Sequence, residues 1–350
     1  MEGVKIGAAC VDIPMKIDAT DLGFVGRDLK RPECVLCMPS GRLYVAHRGG
    51  GILRIEPDGG QRLLTWQLPA GAHDFIPNGF ALLPDGTFLI ANMGHDGGVW
   101  ARRPGGAVEP YLMEADGEPL AKANFIFNDE RGRVWITVTT RSDPLSKAMT
   151  GLGQPECADG FVCMVDGNVA KGLGARIVAD GFAFTNEARI DPSGAFLHVV
   201  ETQGRRITRF RLSPSGDVSG RETFASFGHG TFADGIAFDA EGHLWVASIV
   251  SNRLFRIAPD GATSLVFEDS NPEHVARVEN ALTDRSITRD HFYLKSGTRV
   301  QNIASIAFGG PDRRTAYLGS LAGDTIARFR SPVAGFALPH WKYGDGHVGD

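Results

Sequence analysis

The chain has 350 residues, a formal net charge of −5 and a hydrophobic fraction of 43%, with 45 glycines and 19 prolines. The negative charge disfavours nucleic acid or an anionic membrane as a partner, and no stretch approaches the roughly 18 consecutive apolar residues of a membrane-spanning helix. The odd cysteine count of five, with no basic-then-apolar leader in the first 30 residues, predicts a protein of the reducing cytoplasm.

One pattern recurs six times: a polar residue, a short apolar run, a glycine eight residues after the polar one, and a second apolar run. In the copy at Phe232–Ala247, both runs are rich in β-branched and aromatic residues, which indicates strand, turn and strand. The polar residues and their glycines are, in chain order, Glu33 and Gly41, Asn78 and Gly86, Asn124 and Gly132, Asn186 and Gly194, Asp234 and Gly242, and Asn302 and Gly310.

The copies follow each other at a period of about 40 to 50 residues, which is typical of β-propeller blades with three or four strands. Four copies continue into a third apolar segment, ILRI, ITRF, LFRI or IARF. The sequence therefore predicts an all-β protein, a six-bladed β-propeller that forms one domain over residues 1–350. A strand-like segment at residues 5–13 is expected to join the last blade and to help close the ring.

Two insertions interrupt the regular blades, at residues 141–159 in blade three and 269–300 between blades five and six. In the second, Asn271 as N-cap, Pro272 and Glu273 predict one short helix over residues 272–284. In a propeller, the connection between the second and third strands of a blade emerges on the face where the first strands begin, and so does the connection from one blade to the next. We therefore expect both insertions to overhang that face as a lid or pocket wall, with dimer contacts, or no functional role, as the alternatives. The oligomeric state is left open.

The six polar residues precede the innermost strands and are expected to form a ring at one mouth of the central channel. A single one would be interpreted as a turn cap. Six in register, two of them carboxylates, would repel one another or stay unsatisfied unless something cationic or protic lay among them. Carboxylate and amide oxygens favour a hard divalent cation, Ca²⁺ first and Mg²⁺ or Mn²⁺ next, with Zn²⁺ less natural.

A further set of residues is expected to contact a small-molecule substrate. It consists of two asparagines of the polar ring, the apolar residue that follows Asn124, and three polar residues at or beyond the ends of second strands. These are Asn78, Asn302, Phe125, His95, Arg141 and Glu201. His95 has the alternative of being an ordinary loop residue. Glu201 has the alternative of being a structural partner of Arg205 or Arg206.

Several catalytic signatures are missing from the sequence. It contains no P-loop, no G-x-S-x-G, no H-E-x-x-H and no G-x-G-x-x-G between strand and helix. Cys34 and Cys37 form a C-x-x-C, but residues three apart on a strand face opposite sides and no second pair completes a zinc site. Nucleotide-dependent and serine-nucleophile chemistry therefore have no support in the sequence.

Three segments carry a resemblance to a known family: DGIAFDAEGHLWVA from Asp234, NEARIDPSGAFLHV from Asn186 and IAFGGPDRRTAYLGS from Ile306. With these segments in this order, residues 30–332 resemble the regucalcin/gluconolactonase family of six-bladed propellers, the senescence-marker-protein-like lactonases. The resemblance implies a divalent-metal-dependent enzyme that hydrolyses a lactone or related ester.

By the same resemblance, the implied metal ligands are Glu33, Asn124, Asn186 and Asp234. Asn128 competes with Asn124 for the blade-three position, but only Asn124 keeps the eight-residue spacing to its glycine. The cation would polarise the lactone carbonyl, and Asp234 is the candidate catalytic base that takes a proton from the attacking water.

The sequence departs from the family pattern next to three of these ligands. Phe125 stands where sugar lactonases tend to carry Asp, Cys34 and Val35 stand in place of Gly-Pro, and Glu187 stands in place of Gly. Because an apolar neighbour cannot hydrogen-bond a polyhydroxylated ring, we expect a substrate less polar than a sugar lactone.

Two other classes of function are compatible with a propeller. One is the strictosidine-synthase-like enzyme, which uses a catalytic Glu and no metal; the four matched ligands count against it. The other is a non-catalytic protein that binds a metal or a small ligand, or that serves as an interaction platform. Turnover of a lactone or ester would separate an enzyme from a binding protein.

Overall fold

The computed structural model describes residues 15–66, 68–70, 75–142, 157–166, 174–294 and 296–344. Within these ranges the chain forms six four-stranded antiparallel sheets, each built from strands that are consecutive along the chain except in the last. The predicted all-β, six-bladed β-propeller is confirmed. No described helix has the length and apolar composition to cross a membrane.

Each blade begins with its innermost strand. Blade one contains Val35–Cys37, Leu43–His47, Gly51–Ile55 and Gln61–Thr65. Blade two contains Pro77–Leu82, Phe88–Asn92, Val99–Arg102 and Val108–Leu112. Blade three contains Ala123–Asn128, Val134–Val138, Gly160–Val165 and Arg176–Phe182. A two-stranded hairpin, Glu114–Ala115 with Glu118–Pro119, lies between blades two and three in the chain.

The second half of the ring follows the same plan. Blade four contains Thr185–Ile190, Phe196–Glu201, Arg206–Leu212 and Val218–Ser226. Blade five contains Thr231–Phe238, Leu244–Val250, Arg253–Ile257 and Thr263–Glu268. Blade six contains Ile303–Gly309, Thr315–Ser320 and Ile326–Arg330, and its outermost strand is Gly23–Val25 from the other end of the chain.

The ring is therefore closed by the N-terminal part of the chain, but by a different segment from the one predicted. Gly23 pairs with Arg328 and Val25 pairs with Ile326, antiparallel to the third strand of blade six. The predicted segment, residues 5–13, lies outside the described residues. A three-residue strand carries little periodicity, which is why sequence reasoning missed it.

The glycine of each repeat lies in the turn between the first two strands of its blade. All six have φ between 73° and 90°, the left-handed region that glycine adopts without steric cost. In blade five, the Asp239 carboxylate accepts hydrogen bonds from the backbone N–H groups of Glu241 and His243 and from Nε1 of Trp245. This turn accounts for the recurring spacing between the polar residue and the glycine, since both belong to one hairpin.

Aromatic side chains fill the core between neighbouring blades. Tyr44 of blade one packs edge-on against Phe88 of blade two at 5.0 Å between ring centroids. Trp245 of blade five packs against Phe308 of blade six at 5.5 Å. These inter-blade contacts hold the sheets in a ring and so determine how close their innermost strands approach.

The insertion between blades five and six contains the predicted helix, Pro272–Thr283. The Asn271 side chain caps it by accepting hydrogen bonds from the N–H groups of Glu273 and His274. A second, five-residue helix, Arg289–Tyr293, was not predicted. Of the insertion at 141–159, residues 143–156 lie outside the described part of the chain, so its expected position over the site face stays a prediction. Short 3₁₀ helices occur at Ala19–Asp21 and Pro339–Lys342.

Candidate functional site

One pocket at the start of the innermost strands brings together the four predicted metal ligands. Glu33, Asn124, Asn186 and Asp234 all line it, and all four are buried. They come from blades one, three, four and five, so four separate sheets position the four side chains. Asn128, the alternative ligand of blade three, lies elsewhere and donates a hydrogen bond to the Tyr343 hydroxyl at 2.8 Å.

β-Bulges place three of these four side chains. The pairing of first and second strands shifts register between Ala123 and Phe125, between Thr185 and Ala188, and between Ala233 and Ile236. Asn124, Asn186 and Asp234 lie within those irregular stretches. Because a bulge bends the strand and re-aims the side chain, it can turn a polar group toward the channel mouth.

Hydrogen bonds to neighbouring residues orient the two amides that are predicted to be ligands. Asn124 donates from Nδ2 to the Thr139 hydroxyl at 2.9 Å, and its Oδ1 accepts from Nδ2 of Asn78 at 3.1 Å. Asn186 donates from Nδ2 to the Thr202 hydroxyl at 3.2 Å. The predicted substrate residue Asn78 therefore contacts Asn124 directly. Its position is that of a residue that orients a predicted metal ligand.

The charges in the pocket are incompletely balanced. Glu33 forms a buried ion pair with Arg31. Asp234 hydrogen-bonds to Asn186, yet burial and the nearby Glu33 and Glu187 raise the pKa of Asp234 well above its ordinary value. A cation next to Asp234 would oppose this rise because it stabilises the ionised carboxylate.

The donor set fits a hard cation. In the part of the chain that the structure describes, no three His, Cys, Asp or Glu side chains form a metal cluster by themselves. A cation held here would need the amide oxygens of Asn124 and Asn186 as well as the carboxylates of Glu33 and Asp234. Oxygen donors of these types suit Ca²⁺, Mg²⁺ or Mn²⁺ better than Zn²⁺.

The roof of the pocket comes from the insertion between blades five and six. Its second helix supplies Arg289, Phe292 and Tyr293 to the lining. The remaining walls are mostly apolar and are contributed by Met93, Phe184, Ile249 and Leu321. Sequence reasoning missed Arg289 and Tyr293 because a five-residue helix without a repeated pattern gives no signal of which side chain faces inward.

Asn302, the ring residue of blade six, is occupied by structural contacts. Its Nδ2 donates to the backbone carbonyls of Phe292 and Leu294, both at 2.7 Å, and its Oδ1 accepts from the Val250 N–H at 2.8 Å. The side chain thus ties the roof of the pocket to blades five and six. It is not part of the pocket lining.

Glu201 and Arg141 are held in ion pairs. Glu201 accepts hydrogen bonds from Arg206 and from the Ala183 N–H; burial opposes its ionisation, but these bonds hold the pKa of Glu201 below its ordinary value. Arg141 pairs with Asp180 at 2.8 Å. Neither residue lines the pocket, so their roles as substrate contacts stay predictions.

Phe125 and His95 also lie outside the pocket lining. Phe125 lines a separate cavity on the channel, where the Arg189 guanidinium lies 4.5 Å from the centre of its ring. His95 is exposed. The apolar walls around the four predicted ligands come from other residues, of which Phe184 lies two positions from Asn186.

Fold and site together define a six-bladed β-propeller with an oxygen-lined pocket at one mouth of its channel. Residues 31–268 match the family described as the SMP-30/Gluconolactonase/LRE-like region, and the chain belongs to that family. The resemblance noted in the sequence is thereby confirmed.

Individual relatives agree with this assignment. The chain is 27% identical over 274 residues to the 6-deoxy-6-sulfogluconolactonase of Pseudomonas putida, covering 77% of this chain and 76% of that protein. Its fold is similar to that of a calcium-binding regucalcin from Agrobacterium tumefaciens, with a TM-score of 0.64, 20% identity, and 90% and 97% of the two chains covered. A gluconolactonase from Xanthomonas campestris gives a TM-score of 0.63 at 18% identity, with 93% and 96% covered.

Proposed function

We propose that this protein is a divalent-metal-dependent hydrolase that opens a lactone or a related ester. The observation that carries the proposal is the convergence of Glu33, Asn124, Asn186 and Asp234 in one buried, roofed pocket. These four residues would hold the cation, with Ca²⁺ favoured by the donor types. A cation bound there supplies positive charge that stabilises the oxyanion developing on the attacked carbonyl.

The chain's own residues have distinct tasks in this proposal. Asn78 and Thr139 orient Asn124, and Thr202 orients Asn186. Asp234, ionised in the loaded site, accepts the proton of the attacking water. Phe292 and Tyr293 on the roof help to exclude bulk water from the reacting groups.

The walls of the pocket support a substrate less polar than a sugar lactone. Met93, Phe184, Ile249, Phe292 and Leu321 offer no hydrogen-bonding side-chain groups to ring hydroxyls. The name of the relative from Pseudomonas putida indicates a lactonase that acts on a sugar-derived lactone. We carry over the reaction class, lactone opening, to this chain, but we do not carry over the sugar substrate. We also propose a cytoplasmic location, since the cysteine count is odd and the buried Cys34 and Cys163 side chains are thiols.

A pH-indicator hydrolysis screen tests the function. Chelator-stripped protein is assayed on sugar lactones, aliphatic and aromatic lactones and aryl esters, with and without Ca²⁺, Mg²⁺, Mn²⁺ and Zn²⁺. We expect metal-restored turnover that falls by about 100-fold or more in Asp234→Asn, because that change removes both a ligand charge and the base. Asp260→Asn, at an exposed turn of blade five, is the matched control.

Calorimetry of cation binding to the same proteins separates the alternatives. A cation bound without turnover of any lactone or ester would favour a non-catalytic binding propeller. Condensation of an amine with an aldehyde in the absence of a cation would favour the strictosidine-synthase-like reaction. Full activity in cation-loaded Asp234→Asn would remove Asp234 from the role of base.

A further inference from the structure

Two guanidinium groups meet at one aromatic ring in the wall of the pocket. The Arg31 guanidinium lies 5.8 Å from the centre of the Tyr293 ring and the Arg289 guanidinium lies 4.9 Å from it. Arg289 also donates from Nη2 to the Tyr293 hydroxyl at 3.3 Å. Arg31 comes from the segment before blade one and Arg289 from the roof, so the fold brings together two cations that are 258 residues apart.

Arg289 has no carboxylate within ion-pair distance among the residues that the structure describes. Other arginines near the same insertion do have such partners. Arg205 pairs with Glu279 at 2.8 Å, and Arg253 pairs with Glu268 at 2.9 Å. Arg289 thus lines the pocket as a half-buried positive charge that no described carboxylate balances.

Buried donors without acceptors line the same pocket. Arg31 is paired with Glu33 through Nη2, but its Nε and Nη1 are buried without a hydrogen-bond partner in the described residues, and so is Nε2 of Gln203. Arg31 also has a left-handed backbone, with φ of 52°, a strained conformation of the kind found at ligand sites. Leaving buried donors unpaired costs free energy, so a ligand that supplies acceptors is favoured here.

Neither the proposed cation nor an apolar substrate body would satisfy these groups, because neither accepts a hydrogen bond. An anionic oxygen group would satisfy both the donors and the charge of Arg289. We propose that Arg289, with Arg31 and Gln203, binds an anionic substituent of the substrate, a carboxylate, sulfonate or phosphate. This inference rests on the proposed lactonase function and narrows its substrate to an anionic lactone with an otherwise apolar body.

A matched pair of substrates tests the inference on the metal-loaded protein. The pair is a γ-butyrolactone that carries a carboxylate on its γ-carbon and the corresponding carboxamide, which has the same shape and no charge. We expect Arg289→Met to lower kcat/KM for the carboxylate by about 10- to 100-fold and to leave the carboxamide within about 2-fold, since only the charge-assisted hydrogen bond is lost. Arg289→Lys should retain part of the preference.

Arg277→Met is the matched control, because Arg277 is exposed in the same insertion and does not line the pocket. It should leave both substrates unchanged. Equal values of kcat/KM for the two lactones in the wild type would overturn the proposal. So would an equal loss on both substrates in Arg289→Met.

A binding measurement keeps the test independent of turnover. A cyclopentanone that bears a carboxylate cannot be hydrolysed, and neither can the corresponding carboxamide. Calorimetry compares the affinities of these two compounds for the wild-type and Arg289→Met proteins. Selective binding of the carboxylate without lactone hydrolysis would support the anion site and reject the proposed function. Competition by acetate, methanesulfonate and methylphosphonate identifies the preferred anionic group, and no competition by any of them would reject the site.

Discussion

Glu33 and Asp234 are two carboxylates in one buried pocket, and their charge balance determines what the pocket can bind. Arg31 neutralises Glu33. Burial and the neighbouring carboxylates raise the pKa of Asp234, so the pocket itself disfavours the ionised form of this side chain. A divalent cation would reverse that preference, whereas an apolar ligand would not.

His198 is a second buried titratable group, away from the pocket in the core between blades four and five. Its ring packs edge-on against Phe224 at 4.8 Å and Phe238 at 5.2 Å. In the described residues its Nδ1 has no hydrogen-bond partner. Burial lowers the pKa of His198 to about 3, so the imidazole is neutral in the folded protein.

The pH dependence of stability follows from this shift. Below about pH 6.5 the unfolded chain binds a proton at His198 that the native state does not bind until about pH 3, so native stability falls as the pH drops through this window. His198→Phe removes this titration. Below about pH 6.5, the free energy of unfolding of the variant minus that of the wild type should therefore rise by about 1.4 kcal/mol for each unit that the pH falls. Urea unfolding at pH 7, 6 and 5 measures it.

His229→Gln is the control for that series, because His229 is exposed. Its unfolding free energy should follow the wild type at every pH. Parallel curves for His198→Phe and wild type would show that His198 is protonated equally in both states.

At the scale of elements, five of the six blades combine an irregular first strand with a polar residue at the channel mouth, and in blade one Glu33 precedes the strand. Blades two to six all shift register near the start of the first strand. The insertion between blades five and six is attached to this irregular region by Asn302 and by Asn252, whose Nδ2 donates to the Val300 carbonyl at 3.3 Å. The roof is therefore fastened at the rim of the pocket that it covers.

Asn302→Ala should loosen this roof. The change removes four side-chain hydrogen bonds, to Phe292, Leu294, Val250 and Ser296. It leaves buried polar groups unpaired, at a cost of about 3 kcal/mol in the free energy of unfolding. Hydrogen exchange should accelerate at residues 289–294 before it changes in the blades. Asn280→Ala, an exposed amide on the preceding helix, should change neither quantity. Unchanged exchange in Asn302→Ala would show that other contacts hold the roof.

At the scale of the whole molecule, the ring depends on a contact between the two ends of the described chain. Gly23–Val25 completes blade six, and Ile17 and Leu22 next to it are buried in the core of blades five and six. This arrangement joins the first and last parts of the propeller in one sheet. Without it, the Ile326–Arg330 strand would become an open edge.

Deletion of residues 1–25 should therefore destabilise the entire propeller and not only blade six. Loss of the buried Ile17 and Leu22 side chains alone amounts to about 5 kcal/mol. We expect a single unfolding transition at lower denaturant concentration, with aggregation through the exposed strand. Phe24→Ser is the control, since this exposed side chain can change while the strand remains. An unchanged transition in the deletion variant would show that the ring closes without this strand.

The sequence by itself determined the features that depend on local backbone chemistry. The six blades were predictable because each repeat needs a glycine with positive φ in its hairpin turn, as at Gly132 and Gly242. The helix at Pro272–Thr283 was predictable because Asn271 and Pro272 are local start signals. The four pocket residues were proposed by register and family resemblance, and the structure brings those same four together.

Only the tertiary structure decided which contacts are made by residues at equivalent positions of the repeat. Asn186 and Asn302 occupy the same place in the repeat, yet one lines the pocket and the other binds the roof, because the insertion between blades five and six ends directly before Asn302. The meeting of Arg31 and Arg289 at Tyr293, and the closing strand at Gly23–Val25, join distant parts of the chain. No local pattern encodes such contacts, since they arise from the packing of six sheets into a ring.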